Sequence, residues 1–422
     1  MKKEFKRFDM RKAPMRTAWY LRPLTYLLSI PDVKKHQAII KKEGVDGLKP
    51  PYLLLCNHNA FLDFKVATAA IFPHRANYVV AIDGFLNREW LLRRVGCICK
   101  RKFTNDVSLV RNLKKTIQHG DVVLIYPEAR YSLCGTTAIL PSSLGQLCKM
   151  LKVPVVTLIC HGHHINSPFW NLHDRGVKPT EAELRLLYTP EQLEVASVHE
   201  INSKIVARFQ YDEYAWQKER GIRVTYKKRA EGLHKVLYQC PACKTEFEMA
   251  SKDDVLYCKH CGKRWKYTEL GELEAEDGKT EFSHIPDWYE WERANVRDEI
   301  ERGVYSSGEL KVTVDTLPKA KFIHLGEGTL VHDMNGFTVT GTDVDGDPFE
   351  MKIAVPSLYS CHIEYDYLGK HGDCVDLNTL ENTWYVYPEG SAFSVTKMAL
   401  ATEELYLAHK KKAGKELPPG LA

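Results

Sequence analysis

The sequence lacks any apolar run of the roughly 18 residues that a membrane-spanning helix needs. Its best candidate, LTYLLSI at 24–30, is limited by Arg22 and Pro31. The first residues, MKKEFKRFDMRK, also lack the apolar core of a secretion signal. These absences predict a globular protein that is neither exported nor threaded through a bilayer.

The twelve cysteines do not indicate a disulfide framework, because such frameworks belong to secreted chains. Four of them have a metal-binding spacing, which is treated below. Most of the others lie in or beside apolar runs and are expected to be buried free thiols: Cys56, Cys97, Cys99, Cys148 and Cys160. This usage predicts a reducing, cytoplasmic compartment.

The net charge of +5 is unevenly distributed. Residues 1–42 contain twelve Lys/Arg and three acidic residues, so the rest of the chain is net acidic. A segment so basic is attracted to phosphate-rich surfaces, either lipid or nucleic acid. The same segment has closely spaced aromatic and leucine residues, interrupted by Pro23 and Pro31. It is interpreted as an amphipathic helix on a membrane surface or, alternatively, as a helix packed on the domain core.

Short apolar runs alternate with helical stretches in the first half of the chain. The runs predicted as strands are 52–57, 76–81, 95–100, 121–127 and 153–160; the stretches predicted as helices are 64–72, 85–95, 107–120 and 144–152. This alternation predicts an α/β layered domain with a mostly parallel sheet. Residues 180–239 have a mostly helical pattern.

The second half has a different character. A Cys-rich module is followed by an acidic linker, a Trp-rich helix at 284–303, several β-like runs and a final amphipathic helix at 396–411. Strands closed by one C-terminal helix predict a small β-rich, pleckstrin-homology-like domain. The predicted segments are 1–48 (basic, amphipathic), 49–238 (α/β), 239–268 (Cys-rich), 269–303 (linker and helix), 304–411 (β-rich) and 412–422 (tail).

An imidazole and a carboxylate stand where the first α/β strand gives way to a helix. Asn57 and His58 follow the apolar run LLLC, and Asp63 comes one turn into the predicted helix. Ligands of α/β sheets bind just outside the carboxyl ends of the strands. A carboxylate on one imidazole nitrogen fixes the tautomer, so that His58 can take a proton from a substrate hydroxyl. A lone histidine would more often be structural.

Two further strands end in polar residues. DVVLI leads into YPEARYS (126–132), which contains Glu128, Arg130 and Ser132. VGCICKRK (95–102) ends in a cationic cluster, with Arg101 and Lys102, that suits a phosphate. Three polar strand ends in one sheet favour a common site over a solvated charge run.

These residues resemble the glycerolipid acyltransferases of the bacterial lysophosphatidic acid acyltransferase (PlsC) type. Asn57, His58 and Asp63 match the family's Asn-His-x4-Asp block; YPEARYS resembles its Phe-Pro-Glu-Gly-Thr-Arg-Ser block, Gly96 to Lys102 its second block and VPVVTL its fourth. The resemblance covers about residues 45–220. Ala129 replaces the third-block Gly, Tyr131 stands at the Arg position, and Lys102 falls at the second-block Arg position, which leaves the acceptor open.

The resemblance implies acyl transfer from acyl-CoA or acyl carrier protein to a lipid hydroxyl, typically of a lysophospholipid such as 1-acylglycerol-3-phosphate. It makes His58 the general base and Asp63 its supporting carboxylate. It assigns the acceptor to Asn57, Arg101, Lys102, Glu128, Arg130 and Ser132. Because such lipids are in membranes, a position on the inner face of the membrane is expected for a protein with this basic segment.

The cysteine module has the spacing Cys240-x2-Cys243-x14-Cys258-x2-Cys261. Two such knuckles predict a structural zinc ribbon with four thiolate ligands and no open coordination position. Basic and acidic residues balance each other around the knuckles, which disfavours nucleic-acid binding. His161-Gly162-His163-His164 lacks a carboxylate or Cys partner at helical spacing and is interpreted as a loop near the cleft, without metal.

Two rival functions remain. The altered third block is compatible with a catalytically degenerate acyltransferase-like adaptor that binds lipid or a protein partner. Nucleic-acid binding through the ribbon and the basic segment predicts steeply salt-dependent binding to DNA or RNA.

Overall fold

The computed structural model of the chain describes residues 7–319, 321–369, 371–415 and 417–418. Lys2, Lys3 and Lys6 of the predicted basic segment, and much of the predicted tail, lie outside these residues. The chain divides into two compact units. Of the described residues, the N-terminal unit comprises 9–100, 106–224 and Pro418, and the C-terminal unit comprises Arg7, Phe8, 101–105 and 225–417.

The N-terminal unit contains seven strands and nine helices of the part that is described. The strands are β1 (Ile39–Glu43), β2 (Leu53–Cys56), β3 (Ala76–Ala81), β4 (Ile98–Lys100), β5 (Val122–Ile125), β6 (Val155–His161) and β7 (Glu181–Tyr188). The helices are α1 (Leu21–Lys35), α2 (Leu62–Ile71), α3 (Glu89–Arg94), α4 (Val107–Gln118), α5 (Leu144–Leu151), α6 (His163–Asn166), α7 (Pro190–Val195), α8 (Val198–Arg208) and α9 (Glu213–Arg220).

The seven strands form one sheet in the order β1-β7-β6-β2-β5-β3-β4. All neighbouring pairs are parallel except β6 with β7. All four residues of β2 are buried, as expected for a central parallel strand with both faces covered. The predicted α/β architecture with a mostly parallel sheet is confirmed.

Two local predictions in this unit were wrong. Residues 181–188, within the stretch predicted to be mostly helical, form β7, because their partner strands β6 and β1 offer backbone pairing that local pattern does not reveal. The prolines do not break α1: Pro23 lies in its first turn, where no N–H is needed, and the helix continues through Pro31 to Lys35.

The C-terminal unit contains two antiparallel sheets. The first has the order β11-β10-β9-β8, from β8 (Met249–Lys252), β9 (Val255–Cys258), β10 (Arg264–Tyr267) and β11 (Leu273–Ala275). The helix α10 (Ile285–Glu301) follows. Because β11 pairs with β10, part of the predicted acidic linker belongs to the ribbon sheet.

The second sheet has the order β15-β14-β13-β12-β18-β17-β16. Its strands are β12 (Ser306–Thr316), β13 (Ile323–Asp333), β14 (Gly336–Thr342), β15 (Pro348–Ala354), β16 (His362–Glu364), β17 (Cys374–Asn378) and β18 (Thr383–Pro388), and α11 (Val395–Lys412) follows them. Seven antiparallel strands and one closing helix are the arrangement predicted for a pleckstrin-homology-like domain.

Ion pairs join α10 to α11 inside the C-terminal unit. Arg293 contacts Glu403 at 2.8 Å and Glu404 at 3.3 Å, and Arg297 contacts Glu404 at 2.7 Å. Lys397 of α11 contacts both Glu246 and Glu299 at 2.8 Å. These contacts hold the ribbon, α10 and the β-rich sheet in one unit.

Among the described residues, no helix is both long and apolar enough to cross a membrane.

Candidate active site

The candidate site is formed by residues that follow three neighbouring strands of the N-terminal sheet. β2 lies between β5 and β6, and all three run parallel. The residues that follow their carboxyl ends are Asn57 and His58 after β2, Tyr126 to Ser132 after β5, and Gly162 to His164 after β6. These segments therefore meet at one edge of the sheet, where ligands of α/β proteins bind.

The His58 side chain is held on several sides. Its Nδ1 lies 3.3 Å from Asp63 Oδ2, and its ring stacks on Tyr126 with centroids 4.0 Å apart. Its backbone N–H donates to Glu128 Oε1, and its carbonyl accepts from the Ser132 N–H. The side chain is still 22% exposed. With Nδ1 facing Asp63, Nε2 is the nitrogen available for proton transfer.

Asp63 is fully buried in the first turn of α2. Its Oδ2 accepts the backbone N–H groups of Asn59 at 2.6 Å and Ala60 at 2.9 Å, in addition to facing His58. Its Oδ1 lies 2.5 Å from Nδ1 of His163. Burial alone would raise the pKa of Asp63, but the hydrogen bonds and charges of His163 and His58 outweigh it and lower that pKa to about 2. The carboxylate is thus ionised and fixed.

The second histidine on this carboxylate was not predicted as a site residue. His163 begins α6 after β6 and has no exposed surface. Burial lowers its pKa, whereas the adjacent Cys160 and Asp63 raise it, with a net rise. The sequence predicts only a loop near the cleft for the HGHH stretch, whereas its last two residues begin the helix α6. The missing signal was long-range: β6 neighbours β2, so a residue just after β6 reaches one just after β2.

Glu128 is the second buried carboxyl group of the site. Its oxygens accept the N–H groups of His58 at 3.1 Å and Ala138 at 3.0 Å, and Tyr211 donates its hydroxyl at 3.0 Å. Burial is the largest influence on Glu128, and it raises the pKa to about 7 despite these hydrogen bonds. Glu128 therefore joins the turn after β2 to the turn after β5. Tyr211, just before α9, was missed because it is remote in sequence.

Asn57 and Ser132, both predicted to bind the acceptor, are fully buried and bond to the protein itself. Asn57 exchanges two hydrogen bonds with the Cys160 backbone, at 2.9 and 2.8 Å, and so extends the β2–β6 pairing. Ser132 Oγ donates to the Thr136 carbonyl and accepts from the Gly135 N–H. Both residues shape the site from within. Arg130 is also buried, and its charge acts on Glu128.

Tyr131 covers the other side of the His58 imidazole. Its ring is tilted against His58 with centroids 4.3 Å apart, and it also contacts Phe169 at 5.6 Å. His58 therefore lies between two tyrosine rings, Tyr126 and Tyr131. The position at which the resembling family has an arginine thus presents an aromatic face beside His58.

Residues 32–161 match the family model described as Acyltransferase. This part of the chain is similar to the acyltransferase family. No curated protein matches the chain significantly. Among solved structures, the chain is similar to the 1-acyl-sn-glycerophosphate (LPA) acyltransferase PlsC from Thermotoga maritima, with 13% identity and a TM-score of 0.35 over 48% of this chain and 79% of that one.

Arg101 and Lys102 follow β4 of the N-terminal sheet in sequence but belong to the C-terminal unit. Arg101 is 1% exposed and donates to the carbonyls of Leu317 at 3.1 Å and Pro318 at 2.9 Å, and to the Thr383 hydroxyl at 2.7 Å. Lys102 lies 3.5 Å from an Asp376 carboxylate oxygen. The predicted assignment of both to the acceptor is therefore corrected, because their charged groups are engaged by the C-terminal unit.

The four predicted metal ligands of the C-terminal unit come together. Cys240 and Cys261 have their sulfur atoms 3.7 Å apart, and those of Cys243 and Cys258 are 3.8 Å apart. Zinc–sulfur bonds of about 2.3 Å in a tetrahedron separate the sulfur atoms by about 3.8 Å. The four sulfur atoms lie close enough together to bind one metal ion, and these two separations fit a tetrahedral arrangement around it.

The two knuckles have the same backbone form. The N–H groups of Lys244 and Gly262 each donate back to the first cysteine of their knuckle at 2.9 Å. Both residues have positive φ, 66° and 77°. Each turn therefore directs two sulfur atoms to the same side.

Proposed function

We propose that the protein transfers a fatty acyl group from the thioester of acyl-CoA or acyl carrier protein to the hydroxyl of a lysophospholipid, such as 1-acylglycerol-3-phosphate. The observation that carries this proposal is the partly exposed His58, whose Nδ1 faces the buried Asp63 at the ligand-binding edge of an acyltransferase-family sheet.

In the proposed reaction His58 Nε2 removes the proton from the acceptor hydroxyl as the oxygen attacks the thioester carbonyl. The tetrahedral intermediate collapses to the ester and expels the thiolate, which receives the proton from the His58 imidazolium. Asp63 holds the ring orientation and stabilises the imidazolium. His163 occupies the other Asp63 oxygen and so fixes the carboxylate plane.

The acceptor is proposed to approach His58 along the faces of Tyr126 and Tyr131, the two rings that flank the imidazole. Glu128 and Arg130 contribute by shaping the turn after β5. A structural Zn²⁺ held by the four cysteines would stabilise the ribbon of the C-terminal unit, and it has no part in acyl transfer because all four positions are filled by protein.

A lipid acceptor requires access to a bilayer, and residues 19–28, at the start of α1, support docking on its inner, anionic face. Trp19, Leu27 and Leu28 are 75%, 63% and 65% exposed, and basic residues flank them. Apolar side chains beside Lys and Arg suit an anionic interface. Tyr26, in contrast, stacks on Phe72 within the N-terminal unit. Part of the segment therefore packs on the unit, and we propose that its exposed side chains contact the membrane.

The decisive experiment incubates the full chain with acyl-CoA, or with acyl carrier protein thioester, and a panel of lysolipids, followed by mass spectrometry of the lipids. We expect a diacyl product that depends on the lysolipid. His58→Ala should abolish the product by orders of magnitude while leaving the circular-dichroism spectrum unchanged. Equal product from wild type and His58→Ala would contradict the role of His58 as the base. Product from neither would contradict acyl transfer and favour the degenerate adaptor.

A further inference from the structure

A second cluster of one aspartate and two histidines lies in the C-terminal unit. Asp315 of β12 and His324 of β13 are direct partners in the antiparallel ladder, and the Asp315 Oδ1 to His324 Nδ1 distance is 2.8 Å. His371, just before β17, places its ring parallel to that of His324, with centroids 6.1 Å apart and an interplanar angle of 23°. The ligand atoms of the three residues all lie within 4.8 Å of one another.

The three side chains combine a buried acceptor with exposed nitrogen donors. The Asp315 side chain is 5% exposed, whereas that of His324 is 61% exposed. Within the described part of the chain, Asp315 accepts a single side-chain hydrogen bond, from His324. His371 is placed by the edge of the Tyr387 ring, 5.1 Å away, and by His324. The cluster thus directs one oxygen and two imidazoles toward a common, solvent-accessible point.

This donor set has a definite metal preference. Two imidazole nitrogens and one carboxylate oxygen suit Zn²⁺ and other divalent first-row transition metals, whereas Mg²⁺ and Ca²⁺ prefer oxygen ligands throughout. Bonds of about 2.0–2.2 Å require ligand atoms roughly 3.3 Å apart. Asp315 and His324 already lie within that separation. His371 lies between Gly369 and Gly372, and its ligand nitrogen is within 4.8 Å of the ligand atoms of Asp315 and His324.

We propose that Asp315, His324 and His371 bind one divalent transition-metal ion of the Zn²⁺ class, separate from the four-cysteine site. Three protein ligands leave a coordination position for water or for an external ligand. The ion links the segment before β17 to the paired strands β12 and β13. It stabilises the C-terminal unit by binding only its folded form. The proposal does not depend on the acyl-transfer reaction.

The test counts metal on the full chain. Wild type, His371→Ala and the control His119→Ala are dialysed against one nitrilotriacetate-buffered free Zn²⁺ concentration, and zinc per chain is measured by mass spectrometry. His119 is exposed at the end of α4 in the N-terminal unit, so its removal takes away an imidazole outside the cluster. We expect two zinc ions per chain for wild type and His119→Ala, and one for His371→Ala.

Cobalt substitution identifies which ion is lost. The four-cysteine site gives thiolate-to-cobalt charge transfer, whereas an Asp–His–His site gives only ligand-field bands. The difference between wild-type and His371→Ala spectra should contain ligand-field bands alone. Added Zn²⁺ should also raise the thermal midpoint of wild type by more than that of His371→Ala, which keeps only the four-cysteine site. Fewer than two zinc ions on wild type, equal stoichiometry in the variant, or loss of charge transfer in the variant would overturn the proposal.

Discussion

Asp63 in the N-terminal unit and Asp315 in the C-terminal unit each lie beside two histidines, but their surroundings differ. Asp63 and His163 are fully buried, and both Asp63 oxygens are occupied by backbone N–H groups or imidazoles. Asp315 faces an imidazole that is 61% exposed and, among the described residues, accepts one side-chain hydrogen bond. We therefore propose different chemistry for two clusters built from the same three residue types.

The number of hydrogen-bond donors around each carboxylate determines whether it is suited to orienting a histidine or to binding a metal ion. A carboxylate with its lone pairs filled is rigid and can orient a base, but an ion would have to displace those donors. Asp63, Cys160 and His163 also lie close enough for a metal, yet the Asp63 oxygens are already occupied. An aspartate with few donors and exposed imidazoles can accept an ion instead.

Exchanging one aspartate at a time for asparagine gives the largest expected effect. Asp63→Asn should reduce kcat for acyl transfer by on the order of 10³ to 10⁴, because the amide cannot hold the productive tautomer of His58 or stabilise its cation. Asp315→Asn should leave kcat unchanged and lower the zinc stoichiometry. Steady-state kinetics and metal analysis on both variants check this, and a loss of acyl transfer in both would remove the distinction between the clusters.

The pH dependence of the free energy of unfolding should show how the imidazoles beside Asp63 change its contribution to stability. Glu128 is as buried as Asp63, but among the described residues no imidazole is hydrogen-bonded to its carboxylate. Its pKa is raised to about 7 from 4.5. The folded state therefore binds more protons than the unfolded state in this range, and the free energy of unfolding falls by about 3 kcal/mol as pH rises from about 4.5 to 7.

For Asp63 the sign is reversed. Its pKa is lowered to about 2 from 3.8, so its contribution of about 2 kcal/mol is present above that range and is lost as pH falls through it. Urea unfolding of wild type and Glu128→Gln at a series of pH values checks the first statement. The stability difference should move in favour of Glu128→Gln as pH rises, and a constant difference would contradict it.

Removing the second imidazole of the buried cluster should have a smaller effect. His163→Leu deletes a charge-assisted hydrogen bond worth about 1.5–3 kcal/mol, which corresponds to roughly 10- to 100-fold in kcat. His163→Asn can keep an N–H near the Nδ1 position and should recover part of this loss. His371→Ala, its counterpart in the C-terminal unit, should not change kcat.

The pH–rate profile separates positioning by His163 from a merely structural role. The raised pKa of His163 favours its cation, which offsets the charge of Asp63. Without that cation the charge of Asp63 is no longer offset, so the pH–rate profile should change in both His163 variants. Variants that fold normally and keep both the rate and the profile would exclude the positioning role.

The sequence predicted the residues of the N-terminal site that are close to one another in the chain. His58 and Asp63 are five residues apart across a strand–helix junction. Their contact therefore depends on local backbone geometry, which the sequence pattern predicts. His163 and Tyr211 meet the same residues only through the strand order and the packing after α8, and no local pattern specifies these. Arg101 failed as an acceptor residue for the same reason, since its partners Leu317 and Thr383 are more than two hundred residues away.

The alternation of strands and helices likewise predicted the parallel sheet, because each element shows its own period. It did not predict β1 and β7. β7 (EAELRLLY) has a period that a helix also satisfies, and its pairing with β6 and β1 decides the outcome. The four-cysteine site was predictable because metal ligation fixes both residue type and spacing.

The smallest expected effect concerns the backbone of the turn that carries Glu128. Ala129 has φ 56°, the left-handed region, at the position where the resembling family has glycine. An L-residue there costs about 1–2 kcal/mol, while glycine adds about 0.4–1 kcal/mol of unfolded-state entropy. Ala129→Gly should therefore stabilise the protein by up to about 1 kcal/mol. Ala215→Gly, at an exposed position in α9, should destabilise it by about 1 kcal/mol. Urea unfolding of both variants should change the free energy of unfolding in opposite directions. Changes in the same direction would mean that the turn relaxes around Ala129. The conformation of Ala129 would then not constrain the position of Glu128 beside His58.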